Sequence, residues 1–195
     1  MVNWSTWALL AAVIIGVYLS QLAGRLDRLH IRVDRAEAAL RAQLLRRASE
    51  AIELAAMDGP LDPAARITID GFAHAARDFG ETDLEKDHRA QRLEQAGRNE
   101  AEGELTQALQ AALPDEQSVM EYAAIGGGSE LMEELDSTTR RVELAKGFHA
   151  DAVAQCQKMR RRAIVRFLHL QGRATWPEFI DINLAQPTGF AHRSR

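Results

Sequence analysis

The sequence predicts an all-α protein. It reads as a single N-terminal transmembrane helix over residues 1–24, an antiparallel up-and-down bundle of about four long helices over 25–172, and a C-terminal tail over 173–195. Two observations carry this reading. No acid or base occurs before Arg25, and the run MVNWSTWALLAAVIIGVYLSQLAG is apolar enough for a helix to cross a hydrocarbon layer of about 30 Å. After it, apolar residues recur at spacings of three and four, while the two-residue alternation of a half-buried strand is nowhere sustained.

The anchor is the first element. Trp4, Trp7 and Tyr18 lie toward its two ends, where amphipathic rings settle at a membrane–water interface. A cleaved signal peptide is the competing reading. It is disfavoured because no Lys or Arg precedes the apolar run and QLAG lacks the paired small residues of a cleavage site. No lipid-bearing cysteine follows LAG either. Arg25, Arg28, Arg32 and Arg35 follow the run with nothing basic before it, so the positive-inside rule puts the bulk of the chain in the cytoplasm. The expected location is thus the cell membrane, with one span.

Beyond the anchor, Leu26, Leu29, Val33, Ala36, Leu40 and Leu44 form the stripe of an amphipathic helix. MDGPLDP, Met57 to Pro63, ends it. A shorter helix is expected near Ala64 to Phe79, closed by Gly80, and a third is expected to be capped by Thr82 and Asp83 and to stop before Pro114. AIGGGS, Ala124 to Ser129, reads as a flexible break, with Ser129 capping a long last helix. In that helix Leu131, Leu135, Thr138, Val142, Ala145, His149, Ala152, Cys156, Met159, Ala163, Phe167 and Leu170 keep a four-three rhythm. RITIDGF is the one strand candidate, and it is isolated.

A net charge of -4 gives no general reason to expect nucleic acid, and a single cysteine excludes an internal disulfide. Catalytic motifs are absent. His149 and Cys156 stand seven apart on one helix face, yet no HExxH or CxxC pair supplies the remaining ligands of a zinc site, so they read as core. GGGS lacks the Lys and the following Ser or Thr of a phosphate loop and reads as a hinge. No metal, cofactor or small-molecule substrate is expected.

LDRLHIRVDRAEAALRAQLLRR resembles the first block of the LemA family, with Leu29, Val33, Ala36, Leu40, Leu44, Arg46 and Arg47 on its pattern positions. AEGELTQAL, Ala101 to Leu109, is similar to the family's AENxLxxAL segment, and EELDSTTRRVELAKGFHADAV is similar to its ELxxTENRIxxARxxYNxAV helix. The resemblance runs from the anchor to about Phe179 and rests on helical spacing and a few polar positions. Departures are concentrated in polar places. DLIPNL is replaced by SEAIEL at Ser49 to Leu54, and the family's Asn, Tyr, Asn and later Asn are replaced by Arg140, His149, Ala150 and Gln157. WPEF, Trp176 to Phe179, is a loose substitute for its FP. The resemblance implies a membrane-anchored helical bundle without an established catalytic activity. It does not carry over functions attached to the replaced polar positions.

Two functional readings follow. The first is a membrane-anchored, non-catalytic scaffold that presents a bundle face to another protein or to a second copy of itself. The second is a peripheral module binding anionic lipid or another anion through the basic ends of its first and last helices: Arg25, Arg28 and Arg32 with Lys158, Arg160, Arg161, Arg162 and Arg166. Arg46 and Arg47 are expected at the edge of the apolar stripe, with stems buried and heads paired to acids such as Glu50, Glu53 or those between Asp78 and Glu94.

Overall fold

A computed structural model describes residues 4–81, 88–168 and 175–191. Among them there is helix and no strand: α1 (Trp4–Ala56), α2 (Pro63–Glu81), α3 (His88–Ala112), α4 (Glu116–Ala123), α5 (Gly128–Arg160), α6 (Ala163–Phe167) and a 3-10 turn at Thr188–Phe190. The RITIDGF segment is therefore helical, inside α2. The expected caps Thr82 and Asp83 lie outside the described residues.

The helix ends follow local chemistry. α1 stops before the MDGPLDP cluster, and Arg66 of α2 closes it by donating from Nε to the Ala55 carbonyl at 2.9 Å and from Nη2 to that of Ala56 at 3.3 Å. α2 opens with Pro63 at its first position, and the Asp62 carboxylate accepts from the Ala65 amide at 2.8 Å. Asp115 caps α4 in the same manner, accepting from the Ser118 amide at 2.8 Å, and these hydrogen bonds hold its carboxyl below the ordinary aspartate value. AIGGGS forms a tight turn in which Gly127 takes φ +82, the left-handed region that glycine enters freely. α5 begins at Gly128, so Ser129 lies within its first turn and does not cap it.

The chain divides into two compact units. The first comprises Met1–Glu37 and Phe148–Phe179, the second Ala38–Gly147 and Ile180–Arg195. In the first unit Leu22 and Leu26 of α1 pack with Met159 and Val165, and Val33 packs with Ala152, Val153 and Cys156. The order of partners is reversed along the two helices, so α1 and α5 pair antiparallel there. In the second unit one large core gathers Ala48, Ala51 and Leu54 of α1, Ile69 and Ala73 of α2, Leu105 and Leu109 of α3, Val119 and Tyr122 of α4, and Met132 and Leu135 of α5.

One expectation is corrected. The last helix does not run unbroken toward Leu170, a residue outside the described ones. It ends at Arg160, and Arg162 is extended at ψ 133 before the short α6, so Val165 turns onto Leu22 and Leu26 while Ala163 and Phe167 leave the apolar rhythm and are exposed. Within the C-terminal tail, residues 180–191 are packed. Phe190 is fully buried in the main core of the second unit, and Ile182 and Leu184 pack with Leu40, Leu44 and Val142. Lys146 Nζ donates to the Ile182 carbonyl at 2.5 Å and Gln186 donates to the Asp136 carboxylate at 2.6 Å, which fastens the segment to α5. Its residues Ile180, Ile182 and Leu184 are spaced by two, so the three-and-four spacing of a helical stripe passes over them.

Candidate functional site

The first third of α1 exposes what a soluble helix would bury. Trp4 is 89% and Trp7 63% exposed, and Leu9, Leu10, Val13, Ile14, Ile15, Val17 and Tyr18 are exposed with them. By length and composition α1 can cross a membrane. Among the described residues no segment of this chain covers that apolar surface.

Where the apolar stretch gives way to charge, the first unit has a groove of about 430 Å³ lined by Tyr18, Ser20, Gln21, Leu22, Gly24, Arg25, Arg28 and Arg162. The sequence-predicted basic patch is thus brought together in part. Arg25 and Arg28 lie three apart on one face of α1, and Arg162 reaches the same groove from the α5–α6 corner because Val165 is seated on Leu22 and Leu26. Lys158, Arg161 and Arg166 belong to the same unit and are exposed there. Arg32 is turned aside to donate to Gln155 Oε1 at 3.3 Å. Arg160 is corrected: it is buried, stacks 5.0 Å from the centroid of the Trp176 ring, donates to the Thr175 carbonyl and lies 3.3 Å from His30 Nε2. It ties the chain after α6 to α5 and offers nothing to a lipid surface.

The second constellation surrounds the twin arginine, in the second unit. Arg46 behaves as expected at a stripe edge, pairing through Nε with Glu50 at 3.0 Å and through Nη2 with Glu134 at 3.4 Å. Arg47 does not. It is 1% exposed, and its guanidinium donates to Glu102 Oε2 at 2.5 Å and to Thr106 Oγ1 at 3.1 Å. Arg98, also buried, donates to the Phe79 carbonyl at 3.0 Å. Thr138 Oγ1 donates to Glu50 Oε1 at 2.8 Å. Burial pushes the Glu50 carboxyl up, opposed by Thr138 and Arg46; burial likewise pushes Glu102 up, opposed by the Arg47 cation. Glu102 and Thr106 escape the sequence reading, and Thr138 enters it only as part of the last helix's stripe, although each lies within a block quoted above for its family resemblance. The twin arginine thus joins the three blocks through two separate networks: Arg47 reaches the second block at Glu102 and Thr106, and Arg46, directly and through Glu50, reaches the third at Glu134 and Thr138.

The remaining candidates are packed or paired within their own unit. His149 is buried, and burial lowers its pKa against the upward pull of Glu37; Cys156 is buried and its thiol is pushed up, so it stays protonated. Among the described residues no group of three or more His, Cys, Asp or Glu is arranged to hold a metal ion. Arg140 pairs with Asp136 on its own helix, Gln157 donates to the Pro177 carbonyl at 2.8 Å, and Ala150 is half-buried. Comparison with protein-family models, with curated proteins and with solved structures found no match to this chain.

Proposed function

We propose that this protein is a membrane-anchored, non-catalytic helical protein of the LemA type, held by α1 and serving as a scaffold or interaction module for another protein or a second copy of itself. The observation that carries the reading is the uncharged, solvent-exposed first third of α1, residues 4–21, continuing without a break into a helix that is packed from Leu22 onward. The arginine asymmetry around the span supports a cytoplasmic location for the folded part. The reversed partner order of α1 and α5 in the first unit supports an up-and-down arrangement of the four long helices. The contacts of Arg47 with Glu102 and of Arg46 with Glu134 support the family resemblance, since the adjacent arginines of the first block then each hold an acid of one of the other two.

The test is photocrosslinking from the second unit in intact membranes, with a photoreactive residue at exposed Ile67, Met120 or Leu144 of the full-length chain. A scaffold gives a discrete adduct, the same from preparation to preparation, at one or more of these positions. A chain that yields only non-specific smears at all three contradicts the interaction role. A chain that alkaline carbonate strips from the membrane contradicts the anchor.

A further inference from the structure

Charge is divided unevenly between the two units. The first holds ten basic and five acidic residues, a net +5, and the second holds fourteen and twenty-three, a net -9. The surplus of the first unit is concentrated: no acid occurs between Asp151 and Glu178. Within this unit the groove brings Arg25, Arg28 and Arg162 together. Among the described residues none of these three makes an ion pair or a side-chain hydrogen bond, and no acid lines the groove. Asp27, the nearest acid in sequence, projects about 200° around the helix from Arg25 and about 100° from Arg28, at about 100° per residue, and does not line the groove. Three cations that share a recess and have no counterion repel one another, and an anion relieves that repulsion.

The depth of the groove indicates which anion. About 20 helical residues cross a hydrocarbon core of about 30 Å, so a span that begins near Trp4 ends near Ala23. The lining, from Tyr18 to Arg28, straddles that edge, which is the level of lipid phosphates. Helix α6 is held at the same level because Val165 packs on Leu22 and Leu26, and its other side chains match an interface: Arg166 exposed, Phe167 83% exposed, Ile164 and Leu168 partly exposed. Cations, hydroxyl and amide groups, and apolar side chains at the acyl boundary are thus arranged around one recess. Tyr18, Ser20 and Gln21 supply the neutral hydrogen-bonding groups.

We propose that this groove binds the phosphate headgroup of an anionic phospholipid from the leaflet at which α1 leaves the membrane, with Arg25, Arg28 and Arg162 around the phosphate and Phe167 set into the acyl boundary. The proposal rests on the anchored reading above and adds a specific lipid contact to it. A guanidinium offers a fork of donors to phosphate oxygens, and a headgroup held by two arginines of α1 and one of the α5–α6 corner would fix the first unit against the bilayer.

The experiment uses the full-length protein in nonionic detergent micelles. Native mass spectrometry counts what it retains when the micelles are doped with phosphatidylglycerol, doped with phosphatidylcholine, or given inorganic phosphate instead. The expected result is one phosphatidylglycerol per chain, at concentrations where phosphatidylcholine and phosphate are not retained. Changing Arg25, Arg28 and Arg162 together to Gln should weaken retention on the order of a hundredfold, while Arg141→Gln in the second unit leaves it unchanged. Equal retention of both lipids, or unaltered retention by a triple variant with the parent's circular dichroism, overturns the site. Retention of phosphate as strong as that of phosphatidylglycerol overturns the lipid as its source. A chain that resists alkaline extraction but retains no phosphatidylglycerol refutes the groove alone; a chain that is extracted refutes the anchor.

Discussion

Breaking the Arg47–Glu102 pair from either side should give two different answers. The guanidinium is 1% and the carboxylate side chain 2% exposed, with Nη2 to Oε2 at 2.5 Å, so neither charge has water to fall back on. Removing one member of a buried pair costs about 3–5 kcal/mol because the other is left unpaired. In Glu102→Leu the survivor is an arginine, which cannot lose its proton, and only Thr106 Oγ1 and a backbone carbonyl remain to it. The cost should therefore be near the top of that range and insensitive to pH. In Arg47→Leu the survivor is a carboxyl already pushed up by burial, now without Arg47 and left with the weaker pull of Arg98. It can take up a proton, so its penalty should shrink as pH falls, by as much as about 1.4 kcal/mol per pH unit. The sign follows from linkage: a carboxyl whose folded pKa is raised is favoured at acid pH and loses that advantage as pH rises through the folded value. Replacing both members, Arg47→Met with Glu102→Leu, should be close to neutral or stabilising by about 1–4 kcal/mol. Urea unfolding of the full-length chain in nonionic micelles, followed by far-UV circular dichroism at several pH values, measures all three. Single variants costing under about 1 kcal/mol, the range of exposed ion pairs, would refute the buried pair.

Three further outcomes follow from the same structure. His149→Leu should remove a pH dependence: the histidine's pKa is depressed by burial, so its contribution is intact above about 6.5 and lost as pH falls through the lower folded value, and parent and variant should diverge only on the acid side in urea titrations. In the glycine turn, Gly127→Ala should cost about 1–2 kcal/mol because of its φ of +82, and Gly128→Ala more, since its Cβ would overlap the Tyr122 carbonyl. Gly126→Ala, with open space around its Cβ, should be nearly silent in the same melts, and equal effects at all three would contradict an ordered turn. Phe190→Ala should destabilise the second unit by about 3–5 kcal/mol in urea unfolding, whereas a loose tail would lose nothing.

The legible parts of the fold are those written in periodicity and punctuation. The stripe from Leu26 through Val33 and Leu40 to Leu44 is core at each of those positions, and within α5 the later stripe is buried at Leu131, Leu135, Val142, Ala152, Cys156 and Met159. Met57 to Pro63 and Pro114 mark real helix ends because Gly and Pro act locally. What escaped depends on distant partners. The break after Arg160 contains neither Gly nor Pro and is explained by Val165 packing on α1 and by Arg160 stacking on Trp176. Arg47 and Arg160 are buried for reasons their neighbours in sequence do not contain: a carboxylate 55 residues away for the first, a carbonyl and a ring 15 and 16 residues on for the second. Of the candidate patch, the sequence identified Arg25, Arg28 and Arg162 as basic, and packing alone selected them from the others as neighbours in one groove.

The central claim is that α1 crosses the membrane once and leaves the folded units in the cytoplasm. It is tested most directly by labelling intact cells with a membrane-impermeant maleimide, using full-length chains in which Cys156 is replaced by Ser and a single cysteine is introduced. Asn3→Cys should be labelled without permeabilisation, and Arg141→Cys only after it. Labelling of Arg141→Cys in intact cells, or of Asn3→Cys only after permeabilisation, would contradict the account.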